Sequence, residues 1–588
     1  MKSVQPVRLN TNQHPYERTT ATPVRVAAWR DPWWYASWVV PLLVYLSFPN
    51  RDYTADALIY AGQIESITDL LGPPNRQLNP FAMPPPYFSV LLETCHPHHI
   101  LFNPFGFILL QVLRVFGIGR ILGPMATVNS VVGALGCGFL YLLLRQVGTR
   151  RGVALMAAWL LAFSFGWWFY AITLEAYAIP LFLLLVALYL LFRHDRQQPV
   201  GLGLLLPLSL LSGLAALFHE THIFAVPVIG YLLLARCRAR PLQILGYMAG
   251  AGIIIGGGYL VGAAAGGHLS SLVTFRLWLT EYTRWGPWGK GLALSRLRDV
   301  GIGAVRVLWA FPRFLVLSNQ PGWLSRLLAG MLAALFGGAG LALALLTWRR
   351  WRAQSREEVA LLRGMAFLAI LYGGFALWWN PGDVEFILPL QLPFWIAMAF
   401  LLIQPALGGR RRGWAAGATA ILLLAIFVNN FVGRIYPGSR LANNHLLYNA
   451  GQMVRYVQDT DLVILDTLSW DPSVRYFYGT TRVGFHGVKR LFPLATEERE
   501  ERLRMLREDV DTALREGRRV FTQEYDSYYT YHEGIYRTAF GARRPAEVDA
   551  FYAPYLLCPS FRLRDTEGSY WVYQVLPKNQ ECSTPQEG

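Results

Sequence analysis

The residues that could do chemistry in this chain fall in a few short connectors between long apolar runs. After the first run the sequence reads Asn50-Arg-Asp52-Tyr-Thr-Ala-Asp56-Ala-Leu-Ile-Tyr60-Ala-Gly-Gln-Ile-Glu65. In a helix, positions 52, 56 and 60 share one face, which sets Asp56 at an apolar boundary with Asp52 and Tyr60 beside it. Carboxylates are costly at such a boundary and mark candidate sites. The chemistry they suit is proton abstraction, with Asp56 the first choice of general base and Asp52 the second. Their plainer role is to solvate a loop.

Three further connectors carry acids or histidines. Glu175, beside Tyr177, could orient an acceptor or act as a second acid. His219-Glu220-Thr221-His222 is too short for the His-Glu-x-x-His zinc motif and reads as a polar cap that could touch substrate. Asp383 and Glu385 follow the turn signal Asn380-Pro381-Gly382 and are weaker candidates. Cys95-His96-Pro97-His98-His99 leads to Asn103. Three histidines in four residues could bind a metal, but adjacent residues cannot close a coordination sphere alone. Asp56, Glu175 or Glu220 would have to complete it. Without them the histidines cap a helix or meet a substrate hydroxyl or phosphate.

The elements that must position these residues are membrane helices. The 588 residues are 54% hydrophobic and 15% charged, with 20 Trp and 33 Phe, and many windows exceed the roughly 18 apolar residues of a spanning helix. The fold class expected is mainly α, a polytopic membrane protein of about eleven spans, near 33–48, 121–144, 152–172, 175–193, 201–218, 223–236, 241–265, 324–348, 362–379, 385–404 and 414–434. Arg-rich connectors (145–151, 236–240, 410–412) alternate with the acidic ones. Basic short loops stay cytoplasmic, so the N-terminal tail 1–32 is expected inside, and the outer loops 50–120 and 266–323 and the C-terminal region outside. The stretches 100–117 and 300–318 are apolar enough to span, yet either one alone would export arginines. They are read as interfacial helices, with Arg114, Arg306 and Arg313 reaching head groups. The net charge of +16 is assigned to lipid-facing loops, and with no zinc-finger spacing, RNP-like box or basic coiled coil, nucleic acid is excluded as a partner.

From about 436 the composition is that of a small α/β domain, expected to be extracytoplasmic and to follow a transmembrane domain of 33–435. Asp461-Leu-Val-Ile-Leu-Asp466 and Arg519–Glu524 read as strands, and 497–516 as a charged helix. Phe561–Arg564 and Tyr570–Val575 flank a turn at Asp565–Gly568 as a hairpin. Cys558 and Cys582 bracket it, and a disulfide there fits an oxidising compartment. Five cysteines are too few for a disulfide framework or a Cys-based metal site.

These motifs carry a resemblance. Asp56 followed by Tyr60-Ala61, a His-Pro element at 96–97, an amphipathic helix and Val128–Arg145 together resemble the opening of GT-C glycosyltransferases, above all the protein O-mannosyltransferases and the lipid A aminoarabinose transferases. Phe165-Gly-Trp-Trp-Phe-Tyr170 to Tyr177 and Trp378-Trp-Asn-Pro381 to Pro389 are similar to later stretches of those families. The resemblance covers roughly 35–400. It implies transfer of a sugar from a polyprenyl-phosphate carrier to a glycan, lipid or protein acceptor at the outer face of a bacterial inner membrane. Asp56 would be the catalytic carboxylate and Glu175 a second acid. Tyr60, His96, His98, His99, Asn103, Tyr177, His219 and Glu220 would line the pocket. A departing lipid phosphate needs cations, and Arg276, Arg284 and Lys290, among Trp278, Trp285 and Trp288, could supply them. Ala57 follows Asp56 and there is no Asp-x-Asp pair, so a divalent metal is an option and not a requirement. Two other functions compete: a transporter or flippase of a lipid-linked glycan, which would place polar, broken helices at the bilayer midplane, and a non-enzymatic envelope assembly protein, which would tolerate loss of Asp56.

Overall fold

A computed structural model gives the structure of the chain for residues 31–69, 95–280, 295–310, 323–347, 355–408, 411–458, 460–465, 476–477, 483–486, 496–523, 546–564 and 569–585. Helices stand at all eleven expected positions. Six are long and apolar enough to cross a bilayer: Leu122–Gln146, Pro241–Ala265, Gly330–Thr347, Arg356–Trp379, Val384–Leu407 and Arg412–Gly438. A seventh span arises if the bent pair Arg151–Phe163 and Phe165–Ala171 counts as one. Pro32–Ser47, Ala178–Arg193, Leu202–Phe218 and Glu220–Ala235 are shorter. The outward faces are apolar, with Leu242, Ile253, Leu345 and Ile370 exposed. That surface is a lipid-facing one, and this is a membrane protein.

The stretch read as interfacial contains the helix Phe102–Arg114. Thirteen residues rise only about 20 Å, short of the roughly 30 Å hydrocarbon core. One face, with Phe102, Gly106, Phe107 and Leu110, is buried, while Ile108 and Val112 face out. The second such stretch holds the helix Ser295–Leu308, and 311–318 lies outside the described residues.

Two clusters of connectors define the two ends of the helical body. At one end Arg151 pairs with Asp31 at 3.5 Å, and Arg150 donates to the Leu407 carbonyl at 3.0 Å. Gln404 donates to Glu358 at 2.6 Å. Arg236 binds Glu357 at 2.7 Å and the carbonyls of Leu191, Phe192 and His194. At the other end Asn129 donates to the carbonyls of Thr173 and Glu175 at 2.7 and 2.8 Å, and Asn50 donates to the Thr173 hydroxyl at 3.0 Å. The Glu220 amide donates to the His98 carbonyl at 3.0 Å. The expected alternation of basic and acidic connectors is thus a spatial segregation.

One span is broken. Ser164 takes an extended conformation (ψ 140°), so Arg151–Phe163 and Phe165–Ala171 meet at 67°. The Ser164 hydroxyl donates to the Leu160 carbonyl at 2.6 Å and accepts from the Trp395 indole at 2.8 Å. The short helix after the break lies against Leu122–Gln146 at Gly133, where an added Cβ would be 2.7 Å from the Ala171 Cβ. Small residues permit that approach, and it delivers Thr173 to Tyr177 to the acidic end.

The last helix carries a π-helical turn at Phe431–Ile435 and runs on to Gly438, past the expected boundary at 436. Beyond it a five-stranded sheet has the order β2-β1-β3-β5-β4, with β1 Leu462–Leu465, β2 Val483–His486, β3 Val520–Thr522, β4 Tyr555–Arg564 and β5 Ser569–Pro577. β2, β1 and β3 are parallel, and β5 pairs antiparallel with both β3 and β4. Side chains alternate across it. Leu462 and Ile464 pack with Val510 of the Thr496–Arg515 helix, while Val463 packs with Phe521 and Phe561 on the opposite face. The Cys558–Cys582 disulfide is present. The Asp565–Gly568 turn and residues 466 and 524 lie outside the described residues.

Candidate functional site

Asp56 lies in the first turn of the helix Ala55–Asp69. Thr54 starts that helix by accepting a hydrogen bond from the Ala57 amide at 3.0 Å, the geometry of an N-cap. The same hydroxyl donates to Glu175 Oε1 at 2.5 Å. One threonine therefore fixes both the helix that presents Asp56 and the second acid. Tyr60, one turn on from Asp56, bonds through its hydroxyl to His99 Nε2 at 2.7 Å.

Asp52 does not share the face of Asp56 and Tyr60. The helix starts only at Ala55, because residues 51 and 52 are bound elsewhere: both amides donate to the Gly438 carbonyl, at 2.8 and 3.0 Å. The Asp52 carboxylate is buried and paired with Arg434 of the π-helical turn at 3.2 Å. The Arg434 guanidinium also lies over the Phe169 ring at 5.6 Å.

Around Asp56 the structure gathers acids from two other connectors. Glu175 is buried, Asp383 caps the Val384–Leu407 helix by accepting from the Glu385 amide at 3.2 Å, and Glu385 accepts from the Tyr177 hydroxyl at 2.7 Å. Burial, and then the neighbouring Asp383, push the Asp56 carboxyl up to about 6. Burial and Asp56 push Glu175 well above the usual carboxylate range. Burial raises Asp383 too, against the opposing pull of the Glu385 amide and Arg306. Arg306 belongs to Ser295–Leu308, which comes close to this connector at Gly303; a Cβ there would sit 2.8 Å from the Pro381 carbonyl. Among the described residues Asp56 has no hydrogen-bond or ion-pair partner, and it is only half-buried.

The histidines form a second group, joined to the acids by a row of rings. Tyr177 lies 4.7 Å from His219, His219 5.4 Å from His99, and His99 5.4 Å from His96. His98 pairs with Glu220 and lies 6.0 Å from Trp379. Burial, followed by the neighbouring imidazoles, pushes His96 down to about 3 and His99 and His219 well below the usual value. They are neutral rings, suited to hydrogen-bonding hydroxyls and not to neutralising a phosphate. His99 Nδ1 is buried with no hydrogen-bond partner among the described residues. Asn103 donates to Gln63 at 2.9 Å and ties the Phe102–Arg114 helix to the Asp56 helix. No three His, Cys, Asp or Glu side chains among the described residues are arranged to hold a metal ion.

Beside His98 and Glu220 opens a cleft of about 490 Å³, lined by Phe224, Ile255, Tyr259, Phe275, Leu279, Trp378 and Trp379. Its walls are apolar and its polar groups lie at the histidine end. Arg276 is exposed on the Leu272–Leu279 helix, whose Phe275 and Leu279 line the cleft. Arg284 and Lys290 lie outside the described residues.

Residues 91–242, which include the histidine cluster, Glu175 and the 219–222 connector, match the family model of the protein O-mannosyl-transferase TMEM260 N-terminal domain. The whole chain is similar in fold to ArnT from Cupriavidus metallidurans, solved bound to undecaprenyl phosphate. The TM-score is 0.50 at 13% identity, over 93% of this chain and 98% of that one. That likeness is one of fold. The oligosaccharyltransferase AglB from Archaeoglobus fulgidus, solved with an inhibitory peptide and a dolichol-phosphate, gives 0.47 at 13% identity over 92% of this chain and 74% of its own. The S. cerevisiae Pmt1-Pmt2 complex bound to its sugar donor gives 0.30 at 16% identity over 45% and 36%. No curated protein matches the sequence.

Sequence reasoning underrated Asp383 and Glu385, whose turn signal explained their polarity too easily. It passed over Thr54, and it passed over Tyr372, which bonds to His222 Nδ1 at 2.9 Å. The signal for Thr54 was present: a threonine three residues before Ala57 at a helix start.

Proposed function

We propose that this chain is a GT-C-type enzyme that moves a sugar from a polyprenyl-phosphate carrier to an acceptor hydroxyl or amine at the acidic end of the helical body, with Asp56 as general base. The observation that carries the reading is the state of Asp56: a half-buried carboxylate beside other acids, with no cation paired to it among the described residues. A base works best when its pKa lies near the working pH, and surrounding a carboxylate with acids in a poorly solvated site achieves this. In the reaction Asp56 removes the acceptor proton, the acceptor atom attacks the anomeric carbon, and the bond from that carbon to the phosphate oxygen breaks. Glu175, held by Thr54, stays protonated and offers a hydrogen bond. The neutral His96, His99 and His219 bind sugar hydroxyls. The apolar cleft takes the first isoprene units, with Arg276, on a helix that lines the cleft, and Arg306, near Asp383, to serve the leaving phosphate. Asp52 is a structural anchor in this scheme.

The acidic end faces outward, because the opposite end carries the arginine-rich connectors that resist translocation. The membrane is a bacterial inner membrane, and the C-terminal domain of about 436–588 is periplasmic. The test compares cells carrying wild type, Asp56→Asn and a deletion, with polyprenyl-phosphate-sugar levels and surface glycans read by mass spectrometry. We expect Asp56→Asn to match the deletion, with the donor accumulating and one surface sugar lost while protein abundance is unchanged. A wild-type glycan profile from Asp56→Asn would overturn the assignment.

A further inference from the structure

At the arginine-rich end, away from the acids, a pocket of about 350 Å³ opens between the end of Glu220–Ala235 and the start of Arg356–Trp379. Five arginines line it, at 196, 236, 238, 356 and 363, against one glutamate, Glu357. Glu357 is consumed by two of them, bonding Arg196 at 3.2 Å and Arg236 at 2.7 Å. Arg236 is buried and further fixed by three backbone carbonyls. Arg238, Arg356 and Arg363 have no acidic partner among the described residues, and all three are exposed.

The backbone gives an independent sign. Arg238 has φ +54°, the left-handed conformation that side chains with a Cβ disfavour. Helices commonly end on such a residue, and glycine is the usual choice. This chain follows that rule elsewhere: the other left-handed residues among those described are Gly117, Gly148, Gly267 and Gly517, each just past a helix end. Only the helix end at this pocket closes on an arginine, with the Ala239 amide donating to the Leu233 carbonyl at 3.0 Å. A glycine would fold there with less strain, but it would take a guanidinium out of the pocket.

We infer that this pocket is a binding site for a phosphate-bearing anion, with a membrane phospholipid head group as the source its position favours. Arginine forks suit phosphate oxygens, and basic pockets between membrane helices hold anionic head groups. The site is remote from Asp56 and does not depend on the glycosyl-transfer reading.

The test uses the full-length protein stripped of lipid in detergent and followed by native mass spectrometry. It is titrated separately with a diphosphatidylglycerol lipid, with phosphatidylcholine and with inorganic pyrophosphate. We expect the wild type to take the anionic lipid at least tenfold more tightly than phosphatidylcholine, and Arg238→Gly/Arg363→Gln to lose most of that preference. Arg238→Gly alone should melt no lower than wild type, because it relieves strain. Pyrophosphate binding without lipid binding would keep the anion site and make its source a soluble phosphate. No preference in the wild type, or an equal loss from the exposed Arg412→Gln at the same end, would overturn the inference.

Discussion

The placement of Asp56 makes a prediction in which activity and stability move in opposite directions. With its carboxyl at about 6, Asp56 is roughly nine-tenths ionised at pH 7 and about one-tenth ionised at pH 5. The transfer rate in membranes, with saturating polyprenyl-phosphate sugar, should therefore fall about tenfold from pH 7 to pH 5. A carboxylate with an ordinary pKa near ~3.9 would give a change too small to measure. Asp56→Asn should lower the rate by about 10² to 10⁴ and abolish the pH dependence. Stability follows the opposite sign. A carboxyl whose folded pKa is raised is favoured in its neutral form by folding, so its contribution is present at acid pH and is lost as the pH rises through about 6. A shift of about two units, at ~1.4 kcal/mol each, bounds that loss at about 3 kcal/mol, less where water reaches the half-buried group. Asparagine mimics the neutral acid, so the variant should melt at or above the wild type at pH 7, and the difference should close by pH 4. A rate that is flat from pH 5 to 7, or a variant that is inactive because it unfolds, would refute the reasoning.

Further predictions follow from other contacts. Arg434→Met removes the cation paired with the buried Asp52 carboxylate and should cost about 3 kcal/mol, measured as loss of melting temperature. Adding Asp52→Asn should restore most of it, and Asp52→Asn alone should keep the pH profile that Asp56→Asn loses. Gly133→Val forces the Phe165–Ala171 helix off its seat, at about 1–3 kcal/mol, and should lower transfer by displacing Glu175 while leaving the C-terminal sheet intact by limited proteolysis. Opening the Cys558–Cys582 bond, which closes a separation of 24 residues, should destabilise the C-terminal domain by about 3 kcal/mol. In spheroplasts, thiol labelling of these two cysteines by an impermeant reagent should require only prior reduction; a need for permeabilisation would place the domain inside.

The spans were legible because lipid imposes a one-dimensional rule: a run of apolar residues of sufficient length. The hairpin and the disulfide were legible because alternation and cysteine spacing are also local. What escaped the sequence were pairings across hundreds of residues. Nothing near Asp52 announces Arg434, and its distance from Asp56 and Tyr60 invited a shared helix face that the tether to Gly438 forbids. Nothing in Phe163-Ser164-Phe165 announces a 67° break, since serine is common in membrane helices and only Trp395, across the bundle, completes its hydrogen bonds. Asp383 and Glu385 looked like turn residues because they are that too: Asp383 caps a helix and also sets the field at Asp56. Residues with two roles show only the local one to a reader of sequence.

The tether between the Asp56 loop and the end of the last helix bears on how the protein is made. Arg51 and Asp52 are made long before their partners, which are Gly438, Arg434 and Asn444; the Asn444 side-chain amide binds the Arg51 carbonyl from 393 residues further on. Every intervening helix must be inserted before that loop can take its seat. A nascent chain therefore carries Asp56, the histidines and the cleft without the anchor of the Asp52 loop until the last helix is released.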